Sequence, residues 1–182
     1  MSKMIILDRD GVINHDSDDY IRTPDEWLPI NGSLEAIKRL KNAGYLVTVA
    51  TNQSGIGRGL FSLETLQQMH DKFRGLLAQR DTEIDGIFFC PHLPTDNCIC
   101  RKPKPGLLFQ IAQKFDINLK QTVFVGDTFT DIQAARMAGA IPALVQTGKG
   151  MSTIEKHGFF EDARIYTDLA HFAREILRGG EA

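Results

Sequence analysis

The feature that most constrains this chain is a repeated one: short apolar runs that stop abruptly at polar signatures, with helix-period segments between them. Met4-Ile5-Ile6-Leu7 ends in Asp8-Arg9-Asp10-Gly11, Tyr45 to Ala50 runs into Thr51-Asn52-Gln53, and Thr122 to Val125 reaches Gly126-Asp127 with Asp131 beyond it. Such runs read as buried strands, and Gly11 permits a sharp turn after the first. Gly86 to Cys90, Ile141 to Val145 and Arg164 to Tyr166 add three more. Between them, apolar residues recur at helical spacing: Leu34, Ile37 and Leu40; Leu63, Leu66, Met69, Phe73, Leu76 and Leu77; Leu107, Leu108, Ile111, Ala112 and Phe115; Ile132 to Ala138; and Leu169, Phe172, Ala173, Ile176 and Leu177. Ser62 is a candidate helix cap, and Gly44 and Gly139 are candidate stops. Strand alternating with helix predicts an α/β fold: a single Rossmann-like domain over 1–182, with a mainly parallel sheet and helices on both faces. At 182 residues and 42% apolar composition the chain can bury one full core.

Bulk charge narrows the partners. A net charge of −2 and a pI near 6.2 provide no global attraction for nucleic acid or an anionic membrane. No apolar run approaches the ~20 residues that span a bilayer. A small-molecule partner is expected, with a monomer as the default because no helix displays an apolar face that demands a second chain. All three cysteines lie between Cys90 and Cys100, a poor disulfide framework but a plausible metal site in a reducing compartment, which points to the cytoplasm.

In a parallel sheet the C-terminal ends of the strands share one edge, so Asp8, Asp10, Asp127 and Asp131 should converge there. Converging carboxylates repel one another, and a divalent cation that prefers oxygen ligands, Mg²⁺ above all, relieves the repulsion while holding a phosphate oxygen. Phosphoryl transfer is the natural reaction. Taken singly, each residue has a plainer reading: an acidic turn for Asp8 and Asp10, a strand end for Thr51, a helix N-terminal acid for Asp131, a solvated lysine for Lys102. A second constellation is Cys90-Pro91-His92 followed by Cys98-Ile99-Cys100. Three sulfurs and one imidazole form the ligand set of a closed, structural Zn²⁺ site, in a loop spanning 90–104 that leads into Arg101-Lys102-Pro103-Lys104. His15, His70, His157 and His171 lack such company and are expected at the surface or in the core. The polar segment from His15 to Pro29 should be a loop over the sheet edge.

Asp8-Arg9-Asp10-Gly11, Thr51, Lys102 and Gly126-Asp127 with Asp131 resemble, in order, the four motifs of haloacid dehalogenase superfamily phosphatases. The resemblance covers nearly the whole chain. It implies that Asp8 is the nucleophile that forms an aspartyl-phosphate and that Asp10 is the general acid and then base. It further implies that Thr51 and Lys102 stabilise the phosphoryl group. Mg²⁺ would be held by Asp8, the Asp10 carbonyl and Asp127, with Asp131 orienting them from behind. Neither the segment after Gly11 nor the zinc loop is long enough for a large cap domain, so specificity falls to short loops.

Those loops, Thr51 to Gly59, Cys90 to Lys102 and Thr147-Gly148-Lys149, are similar to the D-glycero-D-manno-heptose 1,7-bisphosphate 7-phosphatase family. That family removes the 7-phosphate in the synthesis of ADP-heptose for the lipopolysaccharide core. The similarity implies a sugar phosphate held by Asp16, Ser17, Asp18 and Asp19, by Thr51, Asn52, Gln53 and Ser54, and by Arg101 with Lys102, Arg101 also assisting catalysis. Arg58, Arg101 and Lys149 are candidates for the retained phosphate. Thr128 stands where some members carry a lysine. The zinc loop also resembles that of histidinol-phosphate phosphatases, and Thr51-Asn52-Gln53 with Gly55-Ile56-Gly57-Arg58-Gly59 that of polynucleotide 3′-phosphatases. The glycine-rich 54–59 stretch favours the heptose family, and the acidic balance disfavours a polynucleotide. A zinc-stabilised binding module without catalysis is the alternative of another class.

Overall fold

The computed structural model describes residues 3–179, so the ends of the expected 1–182 span lie outside it. Six strands form one sheet: β1 (Met4–Leu7), β2 (Leu46–Asn52), β3 (Gly86–Cys90), β4 (Val123–Gly126), β5 (Ile141–Val145) and β6 (Arg164–Tyr166). Their order is β3-β2-β1-β4-β5-β6, and every pairing is parallel. The helices are α1 (Ser33–Asn42), α2 (Leu63–Ala78), α3 (Gly106–Phe115), α4 (Phe129–Ala138), α5 (Gly150–His157) and α6 (Leu169–Gly179).

The period-2 alternation of strand side chains divides the core. Ile5 and Leu7 of β1 pack with Val47, Val49, Val125 and Val145 against α1, α2 and α6. Met4 and Ile6 face the other way, with Ala50 and Phe124, against α3 and α4. A strand covered on both faces is apolar at every position, which is why β1 reads as an unbroken hydrophobic run. The expected α/β fold is therefore borne out, with no large cap domain on the described residues.

The chain builds β2 and β3 to one side of β1 and then returns to place β4 on the other. Strand order reverses between β1 and β4, and that reversal opens a crevice at their C-terminal ends. Asp8 and Asp127 follow those two strands directly. The Asp8 N–H still donates to the Val125 carbonyl at 2.8 Å, so the ladder holds the first acid rigidly.

Several expectations shift. β2 runs two residues past Ala50, so Thr51 and Asn52 lie within the strand, paired with Phe89 and Cys90. The loop from His15 to Pro29 is anchored rather than merely solvated: Trp27 is fully buried and packs on Phe73 at 5.2 Å between centroids. Ser62 caps α2 as expected, accepting from the Thr65 N–H at 3.0 Å, but Leu63 is 58% exposed and stands outside the buried stripe. Helix α4 begins at Phe129 rather than Ile132, because Thr128 and Asp131 form a reciprocal cap around its first turn. Helix α5 is an addition to the expected elements: it is eight residues long, and Ile154 is its one apolar contact with the core, beside buried Gly150 and Thr153.

Candidate active site

Asp8, Asp10, Thr51, Lys102, Asp127 and Asp131 all line one cavity of about 300 Å³ at the β1/β4 crevice. Lys102 is its pivot. Its ammonium lies 2.9 Å from Asp8 Oδ1 and 2.7 Å from Asp131 Oδ1, and donates to the Ala50 carbonyl at 2.9 Å. The side chain is almost fully buried, over the Phe124 ring. Burial works against its charge, but the Asp131 and Asp8 carboxylates outweigh that cost and raise its pKa above the ordinary lysine value. Asn52 fixes the backbone there, accepting from the Lys102 N–H and donating to the Lys102 carbonyl, each at 3.1 Å. Asn52 was expected to hold substrate; both of its amide groups are engaged with Lys102, although it still borders the cavity.

The carboxylates are less well matched. Burial pushes Asp8 up to about 7, Lys102 opposing it and Asp131 and Asp10 adding to it. Asp127 is pushed up to about 8, again by burial first and then by Asp131 and Asp8. Asp127 Oδ2 accepts the Lys149 N–H at 2.7 Å, while its Oδ1 is buried without a hydrogen-bond partner. Asp131 Oδ2 is taken up by the Thr128 cap. Oxygens of Asp8, Asp127 and Asp131 lie within 4.8 Å of one another. An orphaned buried carboxylate oxygen facing two more carboxylates fits a hard divalent cation, which supplies the missing positive charge without a donor hydrogen. Thr128 serves as the cap of helix α4, its N–H and its hydroxyl both donating to Asp131 Oδ2.

The backbone leaves no spare room beside these acids. Gly11 and Gly148 both have positive φ, +82° and +57°, and a Cβ on either would collide with Asp127 Oδ2. Gly148→Ala is therefore expected to displace Asp127, weakening the binding of a divalent cation held by these carboxylates about 10-fold or more. It should also cost about 1–3 kcal/mol in stability. Metal titration and denaturant unfolding measure the two effects.

Asp10 behaves differently from its neighbours. Burial favours its protonated form, but the Arg9 guanidinium and hydrogen bonds from Asn14, Gln53 and Arg9 outweigh it and hold the carboxyl below the usual range. Gln53 Nε2 donates to Asp10 Oδ2 at 2.8 Å and to Thr51 Oγ1 at 3.0 Å, so one amide ties the acid to the buried threonine.

Asp16, Ser17, Asp18, Ser54 and Arg101 also border the cavity. Asp19 does not: it faces the opposite side of its loop, where its carbonyl accepts from Arg22. Arg58 is likewise outside it, exposed on the 54–59 turn with its guanidinium over the Tyr20 ring at 5.9 Å. Residue type alone does not reveal which way a loop side chain turns. Lys149 borders the cavity, but its ammonium is 3.3 Å from both Asp16 and Asp18.

Cys90, His92, Cys98 and Cys100 come together beside the cavity. Sulfur–sulfur separations are 3.6 Å, 3.2 Å and 3.5 Å, and His92 Nδ1 lies 3.5 Å from Cys90 and 3.3 Å from Cys100. A tetrahedron with Zn–S bonds of about 2.3 Å has edges of about 3.8 Å, so this cage is slightly contracted around the size zinc requires. Burial pushes the Cys90 thiol up to about 12, a cost that a cation at the centre removes. The Arg101 guanidinium donates to the His92 carbonyl at 3.3 Å, linking cage and cavity.

Comparison with known proteins places this geometry. A family model described as "HAD-hyrolase-like" matches residues 99–172. The chain is 53% identical to D-glycero-beta-D-manno-heptose-1,7-bisphosphate 7-phosphatase of Pseudomonas putida over 96% of this chain and 99% of that protein. It is 48% identical to the enzyme of the same name from Neisseria meningitidis, over 99% and 97%. The chain belongs to the heptose-bisphosphate phosphatase family of haloacid dehalogenase-like hydrolases. A solved member of that family, the D,D-heptose 1,7-bisphosphate phosphatase of B. bronchiseptica complexed with magnesium and phosphate, superposes with a TM-score of 0.95 at 50% identity, covering 97% of this chain and 99% of that one. Among the described residues of this family member, no helix is long and apolar enough to cross a membrane.

Two functional candidates escaped the sequence reading. Arg9 is 1% exposed and binds Asp10, and His70, from α2, lies 3.4 Å from Arg9. Arg9 sits inside the Asp-x-Asp motif, but the middle position of such a motif carries no spacing signal of its own. His70 is buried in the core, one of the two settings expected for it.

Proposed function

We propose that the protein is a Mg²⁺-dependent phosphatase that hydrolyses the 7-phosphate of D-glycero-β-D-manno-heptose 1,7-bisphosphate through an aspartyl-phosphate on Asp8. The observation that carries the reading is Lys102 holding Asp8 and Asp131 on one side of the crevice while Asp127 offers an unpartnered oxygen on the other. Asp8, Asp127 and the Asp10 carbonyl would hold Mg²⁺, with Asp131 close enough to join or orient them. Bound there, the ion offsets carboxylate charge and polarises the phosphoryl oxygens.

Asp8 attacks phosphorus, its oxygen forming the new P–O bond as the bond to the sugar oxygen breaks. Asp10 gives its proton to the departing alkoxide. Water then attacks the same phosphorus, Asp10 takes its proton, and the bond to Asp8 breaks to release phosphate. In the free site the bonds from Arg9, Asn14 and Gln53 keep Asp10 ionised; it takes up a proton as the anionic phosphate arrives beside it, because a like charge raises its pKa. Lys102 balances the negative charge on Asp8 and the transferring group, and Thr51 Oγ1 is placed to donate to it. Arg101, Asp16, Asp18 and Lys149 border the space beyond, where the retained phosphate and the sugar hydroxyls would lie. All of these groups come from one chain, so a monomer suffices, and an acid-lined cavity suits a metal-bridged metabolite better than a polynucleotide.

Parallel phosphate-release assays test the substrate. The heptose bisphosphate should exceed histidinol phosphate in kcat/KM by about 10²-fold or more, since hydroxyl-specific hydrogen bonds discriminate strongly. Equal or reversed values would move the assignment to the histidinol-phosphate family. Phosphate release from neither would favour the binding module.

Cys90, His92, Cys98 and Cys100 would hold a structural Zn²⁺ that fixes the loop carrying Arg101 and Lys102. Metal analysis of protein prepared without chelator is expected to find about one zinc per chain. Stripping it, or substituting Cys98→Ser, should lower Tm by about 5–10 °C, given the ~2–4 °C that each kcal/mol moves a domain of this size. An unchanged Tm and no bound zinc would refute the assignment.

A further inference from the structure

Arg9 is one of the largest fully buried side chains of the protein, and it enters the proposed hydrolysis only through its contact with Asp10. A guanidinium cannot shed its proton to escape burial, so its partners show what its charge is used for. Nε donates to Asp10 Oδ1 at 3.0 Å, and Nη2 donates to Oδ1 at 2.9 Å and Oδ2 at 3.0 Å. Arg9 thus grips its own neighbour from behind with a planar fork. The remaining arm, Nη1, points to His70 Nε2 at 3.4 Å.

His70 is suited to accept that arm. It is 3% exposed on α2, tilted against the Phe89 ring at 6.1 Å. Burial, and then the nearby charges of Arg9 and Arg74, lower its pKa to about 3, so the ring is neutral and Nε2 can carry a lone pair. Asn14 adds a donor to Asp10 Oδ1 at 2.8 Å, and Gln53 one to Oδ2. The Asp10 carboxylate is therefore fixed on its buried side, while its side chain remains 22% exposed towards the cavity.

We propose that Arg9, itself braced by His70, is a positioning residue that aims the Asp10 carboxylate at the leaving-group oxygen. The proposal rests on Asp10 being the proton donor. A chain of this kind lets helix α2, remote from the phosphoryl group, set the angle of the catalytic acid. Misplacement of a reacting group by about 1 Å is enough to cost ~10²-fold in rate.

Leaving-group dependence separates this role from simple structural support. Release of an alkoxide from a sugar phosphate needs a proton, whereas release of p-nitrophenolate from p-nitrophenyl phosphate does not. The test is kcat/KM, which reports the steps up to formation of the phosphoenzyme, on both substrates for His70→Leu, His70→Gln, Arg9→Lys and Asp10→Asn. His70→Leu removes the acceptor and should lower kcat/KM about 10-fold or more on the sugar bisphosphate, through kcat, with a clearly smaller loss on the nitrophenyl ester. His70→Gln, whose Oε1 can accept from Nη1, should restore most of that loss. Arg9→Lys keeps the charge but not the fork and should show the same split at about 10²-fold. If it does not fold, the two His70 variants decide alone. Asp10→Asn should show the largest split; equal losses on both substrates would remove Asp10 as the proton donor and the proposal with it. A split for Asp10→Asn with equal losses, or none, in the His70 and Arg9 variants would overturn the proposal while leaving the role of Asp10 intact.

Discussion

Asp8→Asn is expected to abolish turnover of the sugar bisphosphate, by about 10⁴-fold or more, and yet to stabilise the metal-free protein at alkaline pH. The first effect follows from removing the attacking oxygen, since knocking out a nucleophile leaves only the residual catalysis of binding and charge stabilisation. The second follows from burial. Folding raises Asp8 from 3.8 to about 7, so the folded state binds its proton more tightly than the unfolded state does. For a carboxyl raised in this way, stability falls as pH rises from the unfolded to the folded pKa, between about 4 and 7, and the full cost is present above it. Asparagine has nothing to ionise and escapes that cost. In chelator, the unfolding free energy of the variant relative to wild type should rise by about 1–3 kcal/mol between pH 5 and pH 8. A less stable variant at pH 8 would mean that Lys102 more than compensates the buried charge. Added Mg²⁺ should reverse the order, because it binds the ionised carboxylates of the wild type and stabilises only the folded state.

Lys102→Met is expected to carry the largest combined cost. The side chain is similar in length, so its packing over Phe124 is retained, but Asp8 and Asp131 lose the ammonium that lies 2.9 Å from one and 2.7 Å from the other. Breaking a buried ion pair by removing one partner costs about 3–5 kcal/mol. The sign with pH is opposite to intuition from the lysine alone. Lys102 is charged in both folded and unfolded protein below about pH 10, so its own titration adds nothing at pH 5–8. What changes is Asp8: without the ammonium that opposes its burial, it holds its proton to higher pH. The loss should be mild at pH 5 and approach the full value at pH 8, as denaturant melts at the two pH values would report. Activity should fall by about 10³-fold, from the loss of charge stabilisation at the transferring phosphoryl group. Near-wild-type kcat would exclude Lys102 from the chemistry.

Asp8, Asp10 and Asp127 were legible because each follows a run too apolar to be anything but a buried strand. The cysteine–histidine loop was legible because three thiols and an imidazole crowded between Cys90 and Cys100, in a polar segment with little apolar surface to bury them, match the ligand set of a tetrahedral metal. Less was readable where residues act through their surroundings. Asn52 borders the cavity as its position in the sequence suggests, but its hold on the Lys102 backbone is legible only in the fold, as is the turn that sets Arg58 over Tyr20. Helix α5 is short and packs through Gly150, Thr153 and Ile154, too few apolar residues to mark a stripe. The pairing of Arg9 with His70 carries no local signal for a related reason: the two lie 61 positions apart and meet only in the fold.

The sequence alone determined the alternation of strand and helix, the acids at the strand ends and the composition of both candidate metal-binding groups, because periodicity and spacing are local properties of the chain. Only the tertiary structure decided the strand order that opens the crevice between β1 and β4, the single lysine shared by Asp8 and Asp131, and the brace that runs from α2 through Arg9 to Asp10. Those are contacts between distant segments, and their energies depend on burial and on ångström-scale separations that no local pattern encodes.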